Sequence, residues 1–357
     1  MTTDGDNPDA VAQPPKAKFG KQQIIGTIIT LVVLVLVFAI VLPQFGDYSA
    51  AWTAIQNMTT GQIGLIVAAT VGLILFYVFP YTAAMPDLAY RPGFKTRQTS
   101  FMISNVIPAG GAFGLAVQFA MLSSYGYKAT PTTATIGITG VWNTLVTLSL
   151  PLVAIILLAV TGQSSAGNTA AVIFAAFLVV VMIGGFALIL RNESFARRIG
   201  GWGNAIIGWG ARLLKKDVSF DAVDAIVEFR AGIIDVVKDR WILITVANVG
   251  QQLIQFAILY FAVVALQGGF DGPVSLVECL AAFSIGRLTT FIPIPPGGLG
   301  TTDAIINGML TTFGMNNNDA LAATLVWRAA TYFPQVFIGL ITFIMWRREQ
   351  TKKALAV

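Results

Sequence analysis

Hydrophobic positions in this chain fall in long runs separated by short polar stretches. The runs lie at Ile24–Leu42, Ile63–Ala83, Phe101–Leu122, Ala134–Val160, Ala170–Leu190, Trp241–Leu266, Leu276–Ile292, Leu299–Phe313 and Ala320–Trp346. Several approach the roughly 20 apolar residues that carry a helix across a bilayer. The pattern predicts an all-α integral membrane protein.

Charge decides which runs cross, because Lys and Arg are retained on the cytoplasmic side. Lys16, Lys18 and Lys21 place the N-terminus inside, and the loop around Asp47 has no Lys or Arg and lies outside. Arg91, Lys95 and Arg97 return the chain to the inside, and nine basic residues mark Arg191 to Arg240 as a second inner segment. If Phe101–Leu122 crossed fully, that segment would lie outside. A re-entrant hairpin restores the rule. In the second half, Arg347, Arg348, Lys352 and Lys353 put the C-terminus inside. Leu276–Ile292 and Leu299–Phe313 must then enter and leave on the outer face. Their 17 and 15 residues are short for full spans. The expectation is about six full spans plus two re-entrant helical hairpins, with eight or more hydrophobic segments in an inverted repeat.

A repeated motif marks the two hairpin tips. One copy reads Asn105-Val106-Ile107-Pro108-Ala109-Gly110-Gly111, the other Ile294-Pro295-Pro296-Gly297-Gly298-Leu299-Gly300. An aromatic-Gly pair follows each, Tyr125-Gly126 and Phe313-Gly314, and then a helix with a tryptophan, Trp142 and Trp327. Broken helix at membrane depth is tolerated where protein or a wet cavity satisfies the freed backbone groups. Such breaks in corresponding positions of two halves point to a transporter's binding site.

The predicted organisation is a disordered cytoplasmic N-terminus over 1–22 and a single membrane domain over 23–346, followed by a cytoplasmic tail over 347–357. Repeat one covers about 62–190, an amphipathic cytoplasmic elbow 191–240, and repeat two 241–346. Ser219 is a candidate N-cap within the elbow, and Trp202 and Trp209 look interfacial.

Composition narrows the chemistry. Only 11% of residues are charged, against roughly 25% in soluble proteins, and the net charge is +5. That excess sits in loops, without the basic stripe and aromatics of a nucleic-acid binder. There is no histidine and a single cysteine, Cys279, so no metal, no cofactor and no disulfide is expected. Neither a Walker loop nor a nucleophile elbow is present, and a non-enzymatic protein is expected.

The charges inside apolar runs are the candidate site. Glu278, Arg287, Asp303 and Arg328 each cost about 2.5–3.5 kcal/mol at a helix centre and require a partner or a purpose. Arg287, Asp303 and Arg328 can converge on the second tip. There Gly297, Gly298 and Gly300 admit a close backbone approach and the following amides favour an anion. An internal ion pair of Asp303 with Arg287 or Arg328 is the competing reading. Glu278 either faces the outer interface or, with Asp303, carries protons. In the first repeat Pro108, Gly110, Gly111 and Gln118 are the substrate-binding candidates, Pro295 joining them from the second. Asn105, Gln118 and Asn143 are each expected to join helices by hydrogen bonds worth about 0.6 kcal/mol.

Through Pro295-Pro296-Gly297-Gly298-Leu299-Gly300, Asp303, Trp327-Arg328 and Pro334 the chain resembles the transmembrane domain of bacterial lysylphosphatidylglycerol synthases, the multiple peptide resistance factors. The resemblance extends from about Gln22 to Trp346. It is strongest in the last 70 residues of that stretch. Asp303 stands where the family carries Glu, and Arg328 matches its Arg. The family's first copy has Gly-Glu and then Arg, whereas Ala112, Phe113 and Gln118 occupy that neighbourhood here. The first repeat is thus left without charge. The chain stops at Val357, so a stand-alone membrane domain lacking the soluble aminoacyl-transferase is expected. The resemblance implies movement of a lipid or lipid-linked glycan between leaflets of the bacterial inner membrane. Expected partners are membrane lipids with a phosphate-bearing headgroup and no nucleic acid; a homo-oligomer stays open. A secondary transporter of a small soluble anion and a non-transporting scaffold for envelope synthesis are the alternatives.

Overall fold

The computed structural model describes residues 48–107, 110–163, 169–214, 221–291 and 298–355. All regular secondary structure among the described residues is helical. The helices are α1 (Tyr48–Gln56), α2 (Thr60–Phe76), α3 (Phe79–Ala84), α4 (Tyr90–Val106), α5 (Gly110–Ser124), α6 (Ala129–Val160), α7 (Thr169–Arg191), α8 (Glu193–Leu214), α9 (Ala222–Leu266), α10 (Leu276–Leu288), α11 (Thr301–Thr312) and α12 (Asn317–Leu355). The expected N-terminal tail and the run Ile24–Leu42 lie outside the described residues.

Four stretches are long and apolar enough to cross a bilayer: Thr60–Ala84, Ala129–Val160, Arg230–Leu266 and Asn317–Lys352. α7 covers another expected span with 23 residues. On α2, Thr70, Leu73 and Ile74 are buried while Val67, Val71 and Leu75 are about half exposed. Apolar residues on the outside and polar ones within are what a lipid-facing helix requires. The chain is thus a multi-pass, all-α membrane protein.

Both broken motifs are hairpins. In the first, Ser100 Oγ donates to Gly114 O at 3.1 Å, across a break that follows Ile107. In the second, the hydroxyls of Thr289 and Thr302 lie 2.6 Å apart. Glycine closes each pair of arms. A Cβ on Gly114 would overlap Ser104 Oγ, and one on Gly286 would lie 2.5 Å from Ile306 Cγ1. Gly286→Val should therefore cost about 1–3 kcal/mol, read as a lower Tm of the purified protein; an unchanged Tm would refute the close packing. Both hairpins also end alike. Gly126 and Gly314 take φ of 91° and 99°, while Tyr127 N donates to Leu122 O and Met315 N to Leu310 O. This is the left-handed helix stop that glycine adopts without strain.

The hairpins enter from opposite ends of α12. The base of the first sits at its C-terminal end, where Lys95 Nζ meets Glu349 Oε1 at 2.5 Å and Trp346 Nε1 donates to Ser124 Oγ at 2.8 Å. The base of the second leads directly into the start of α12. The tips reach α12 one turn apart: Arg328 pairs with Asp303 and Tyr332 Oη donates to Asn105 O.

Three expectations change. The first arm starts at Tyr90, so Arg91, Lys95 and Arg97 ride on α4 instead of a loop. Lys95 is paired with Glu349 and Arg97 is shielded by rings, which lets charges enter the bundle. The elbow helix does not stop before Trp241. No proline interrupts 222–266, and α9 runs 45 residues, roughly 68 Å at 1.5 Å per residue. The stretch expected as an outer loop contains α1, which packs Ala51 on Leu321 and Ala322.

The cap of α9 is Asp221, which accepts from Val223 N, Asp224 N and Asn204 Nδ2; Ser219 lies outside the described residues. The hydrogen bond from Asn204 and those of the cap hold its carboxyl below the usual 3.8. A depressed pKa contributes stability above 3.8 that is lost as pH falls through the lower folded value. Hydrogen exchange of residues 222–226 should accelerate below that pH. In Asp221→Asn this acid step should vanish; its persistence would assign the step elsewhere.

Candidate substrate-binding site

The polar residues of the bundle face one another on helical spacing. α9 carries Asn248, Gln251, Gln252 and Gln255, at i, i+3, i+4 and i+7, all buried on one stripe of an apolar helix. α6 answers with Thr132, Thr135, Thr139, Asn143 and Thr147. Gln252 Nε2 donates to Asn143 Oδ1 and Thr147 Oγ1, each at 3.2 Å. The two corresponding tryptophans also anchor on α9. Trp142 Nε1 donates to Thr245 Oγ1 at 2.9 Å and Trp327 Nε1 to Gln255 O at 3.0 Å.

Between these helices and the hairpin tips lies a cavity of about 650 Å³. Gly110 and Gly111 line it from the first tip, and Thr290 and Phe291 from the approach to the second. That size suits a ligand headgroup. Its wall holds two guanidinium groups, Arg97 and Arg287, and no Asp or Glu among the described residues.

Arg97 Cζ lies 4.4 Å from the ring centroids of both Tyr77 and Tyr81, and Arg97 donates from Nε to Tyr77 O at 3.4 Å. Contact with two rings and the hydrogen bond together restrain the guanidinium. Arg287, in the last turn of α10, is different: its Nε is buried without a partner. Arg328 is a second cation within electrostatic reach. A buried donor left unpaired in an apolar bundle costs free energy until something accepts from it.

Asp303 and Arg328 form an ion pair that leaves Arg328 Nη2 buried without a partner. Arg328 Nε donates to Asp303 Oδ1 at 2.8 Å, and Gly300 N donates to Oδ2 at 2.7 Å. The carboxylate thus also caps α11. Gly298 and Gly300 take φ of 63° and 82° at this corner. Gly300 supports Asp303, and neither glycine lines the cavity. The convergence expected at the second tip is therefore divided, with Arg328 paired to Asp303 and Arg287 turned to the cavity.

The remaining candidates sort as follows. Gln118 lines the cavity, its carboxamide held by Tyr81 Oη and Ser100 Oγ. Asn105 and Asn143, for which lining a cavity was the alternative to joining helices, line it too. Glu278 does not: its carboxylate accepts from Ser275 N at 2.9 Å in a reciprocal cap at the far end of α10. Pro108, Pro295 and Gly297 lie outside the described residues.

Two features escaped the sequence reading. Arg97 supplies the charge that the first repeat was expected to lack; it was hidden in a cluster resembling a cytoplasmic loop. The amide stripe of α9 carried a usable signal, since four carboxamides at i, i+3, i+4 and i+7 mark one face of a helix.

Comparison with known proteins agrees with this architecture. The family model described as the lysylphosphatidylglycerol synthase TM region matches residues 23–339. A UPF0104 membrane protein of Methanothermobacter thermautotrophicus is 26% identical over 185 residues, which make up 49% of this chain and 52% of that protein. The chain thus spans about half the length of the curated relative it matches.

Proposed function

Because the chain belongs to the lysylphosphatidylglycerol synthase transmembrane-region family, we propose that it moves a lipid with a phosphate-bearing headgroup between the leaflets of the cell membrane. The observation that carries this reading is the cavity between two oppositely inserted hairpins, with Arg97 and Arg287 on its wall and no facing carboxylate among the described residues. A phosphate oxygen is the acceptor that an unpaired guanidinium N–H fits best. The hairpins reach α12 one turn apart, at Arg328 and Tyr332, so small movements of either would open the cavity toward one side or the other. Acyl chains would remain in the bilayer beside the apolar outer faces of the bundle.

The test is reconstitution of the full chain in liposomes with fluorescently labelled phosphatidic acid in the inner leaflet and a membrane-impermeant quencher outside. Quenching faster than in protein-free liposomes supports lipid movement. Uptake of inorganic phosphate without quenching would overturn it in favour of solute transport, and neither activity would favour a scaffold.

The same reading fixes the orientation of the protein, with both termini and the elbow cytoplasmic. Single cysteines at positions 162 and 271, in a background with Cys279→Ala, should react with an impermeant maleimide added to intact cells. One at position 215 should react only after lysis. Labelling of position 215 in intact cells would reverse the insertion of both hairpins.

A further inference from the structure

The wall of the cavity is not uniform. Every polar side chain on it is buried or partly buried. The exposed wall residues are Gly111, Ala112 and Leu115 on α5, Gly140 on α6, and Phe291. None of these five carries a polar side chain. The cavity therefore reaches the surface at an apolar place, lined mainly by two neighbouring helices.

The way these helices leave the hairpin base explains the opening. α5 runs back to the base of the first hairpin and α6 departs from it, with only residues 125–128 between them. Near the base the seam is closed. Leu122 of α5 lies in a buried cluster with Tyr81, and Ile136 of α6 packs against that cluster. Farther along, side chains that could close it are missing. A Cβ on Gly111 or Gly140 would meet nothing within 4 Å, whereas Gly114 and Gly286 are glycines because their neighbours touch them. Glycine weakens a helix relative to alanine, and at Gly140 no close contact compensates for it.

Depth decides what such an opening admits. At 1.5 Å per residue, Leu115 and Gly140 lie roughly 14–17 Å from the base, about half of a hydrocarbon layer of about 30 Å. A soluble ion cannot approach through hydrocarbon, because it would first lose its water. A lipid has the opposite requirement. Its headgroup needs the polar interior while its chains stay in an apolar medium, and an apolar opening at mid-depth lets one molecule do both.

We propose that the cleft between α5 and α6 is a binding site for the hydrocarbon chains of the lipid whose headgroup occupies the cavity. The inference rests on the proposed binding of a phosphate lipid there and states where the rest of that molecule lies. Leu115 and Phe291 offer the chains apolar contact, and Gly111, Ala112 and Gly140 leave them room.

Photolabelling of the native chain tests it. The full chain is reconstituted in phosphatidylcholine liposomes containing phosphatidic acid with a diazirine on one acyl chain, and labelled peptides are mapped by mass spectrometry. Residues 111–115 and 136–143 should be labelled more heavily than the lipid-facing side of α2, where Val67 and Val71 are about as exposed as Leu115. Excess unlabelled phosphatidic acid should suppress the labelling of the cleft and spare that of α2. Equal labelling of the two faces, or no suppression, would overturn the inference. Gly140→Phe gives a second reading. Its Cβ has room, so the variant should fold and melt no lower than the native chain. It should move lipid at least about tenfold more slowly, a rise in barrier of about 1.4 kcal/mol. Val71→Phe, on the outer face of α2, should move lipid at the native rate. Native movement by a folded Gly140→Phe would overturn the cleft and leave lipid movement standing. A native chain that moves no lipid would refute the proposed function, and the labelling would still decide the cleft, as it would if Gly140→Phe failed to fold.

Discussion

Arg287→Gln should leave a folded protein that moves phosphate lipids about 10–100-fold more slowly, the worth of one charge-assisted contact at about 1.5–3 kcal/mol. The expectation follows from what Arg287 lacks. It is partly buried in a helix arm, its Nε has no partner, and it lines a cavity without a carboxylate among the described residues. An isolated guanidinium at membrane depth is costly, so removing it relieves strain in the empty protein. The variant should therefore be at least as thermostable as the native chain while its transport falls. Loss of stability in parallel with transport would assign Arg287 a structural role. Transport at the native rate by a folded variant would remove the phosphate contact from the mechanism. Arg287→Lys separates charge from geometry: a point charge restores attraction for phosphate but not the planar fork. It should recover part of the rate.

The sequence made the hairpins visible because their punctuation is local. Proline and paired glycines break a helix whatever surrounds them, and the two stop signals at Tyr125-Gly126 and Phe313-Gly314 share one backbone geometry. Less visible was anything decided by tertiary pairing. Arg91, Lys95 and Arg97 looked like loop residues because an isolated α4 could not carry them into lipid. Tyr77, Tyr81 and Glu349, from other parts of the chain, offset the cost of placing Lys95 and Arg97 there. Arg287 and Arg328 were both evident as charges in apolar runs, and one-dimensional spacing could not say which would take Asp303. The geometry of the α11 corner decides it, since Gly300 N occupies one carboxylate oxygen and leaves the other facing α12. The amides of α9 were lost for a different reason. A glutamine in an apolar helix more often bridges two helices than lines a site, as Gln252 does here, and only the stripe as a whole distinguishes the two cases.

Asp303→Asn should have the opposite profile to Arg287→Gln: it should destabilise the fold. Asp303 is 1% exposed, and each of its oxygens is committed, one to Arg328 Nε and one to Gly300 N. The amide keeps a single acceptor and introduces a donor toward groups that are themselves donors. Arg328, whose side chain is 11% exposed, then loses its counter-charge, while its Nη2 is already without a partner. Removing one member of a buried pair costs about 3–5 kcal/mol because the other stays behind uncompensated. For a domain of this size that corresponds to a fall in Tm on the order of 10 °C. The double variant Asp303→Asn, Arg328→Met removes the stranded charge and should recover at least half of the loss, a coupling that a thermodynamic cycle measures directly. If Asp303→Asn melts at the native temperature, the pair is not part of the frame. If the double variant recovers its stability and still moves lipid, Arg328 is confined to holding the second hairpin against α12, and recognition of the headgroup falls to Arg97, Arg287 and the amides between them.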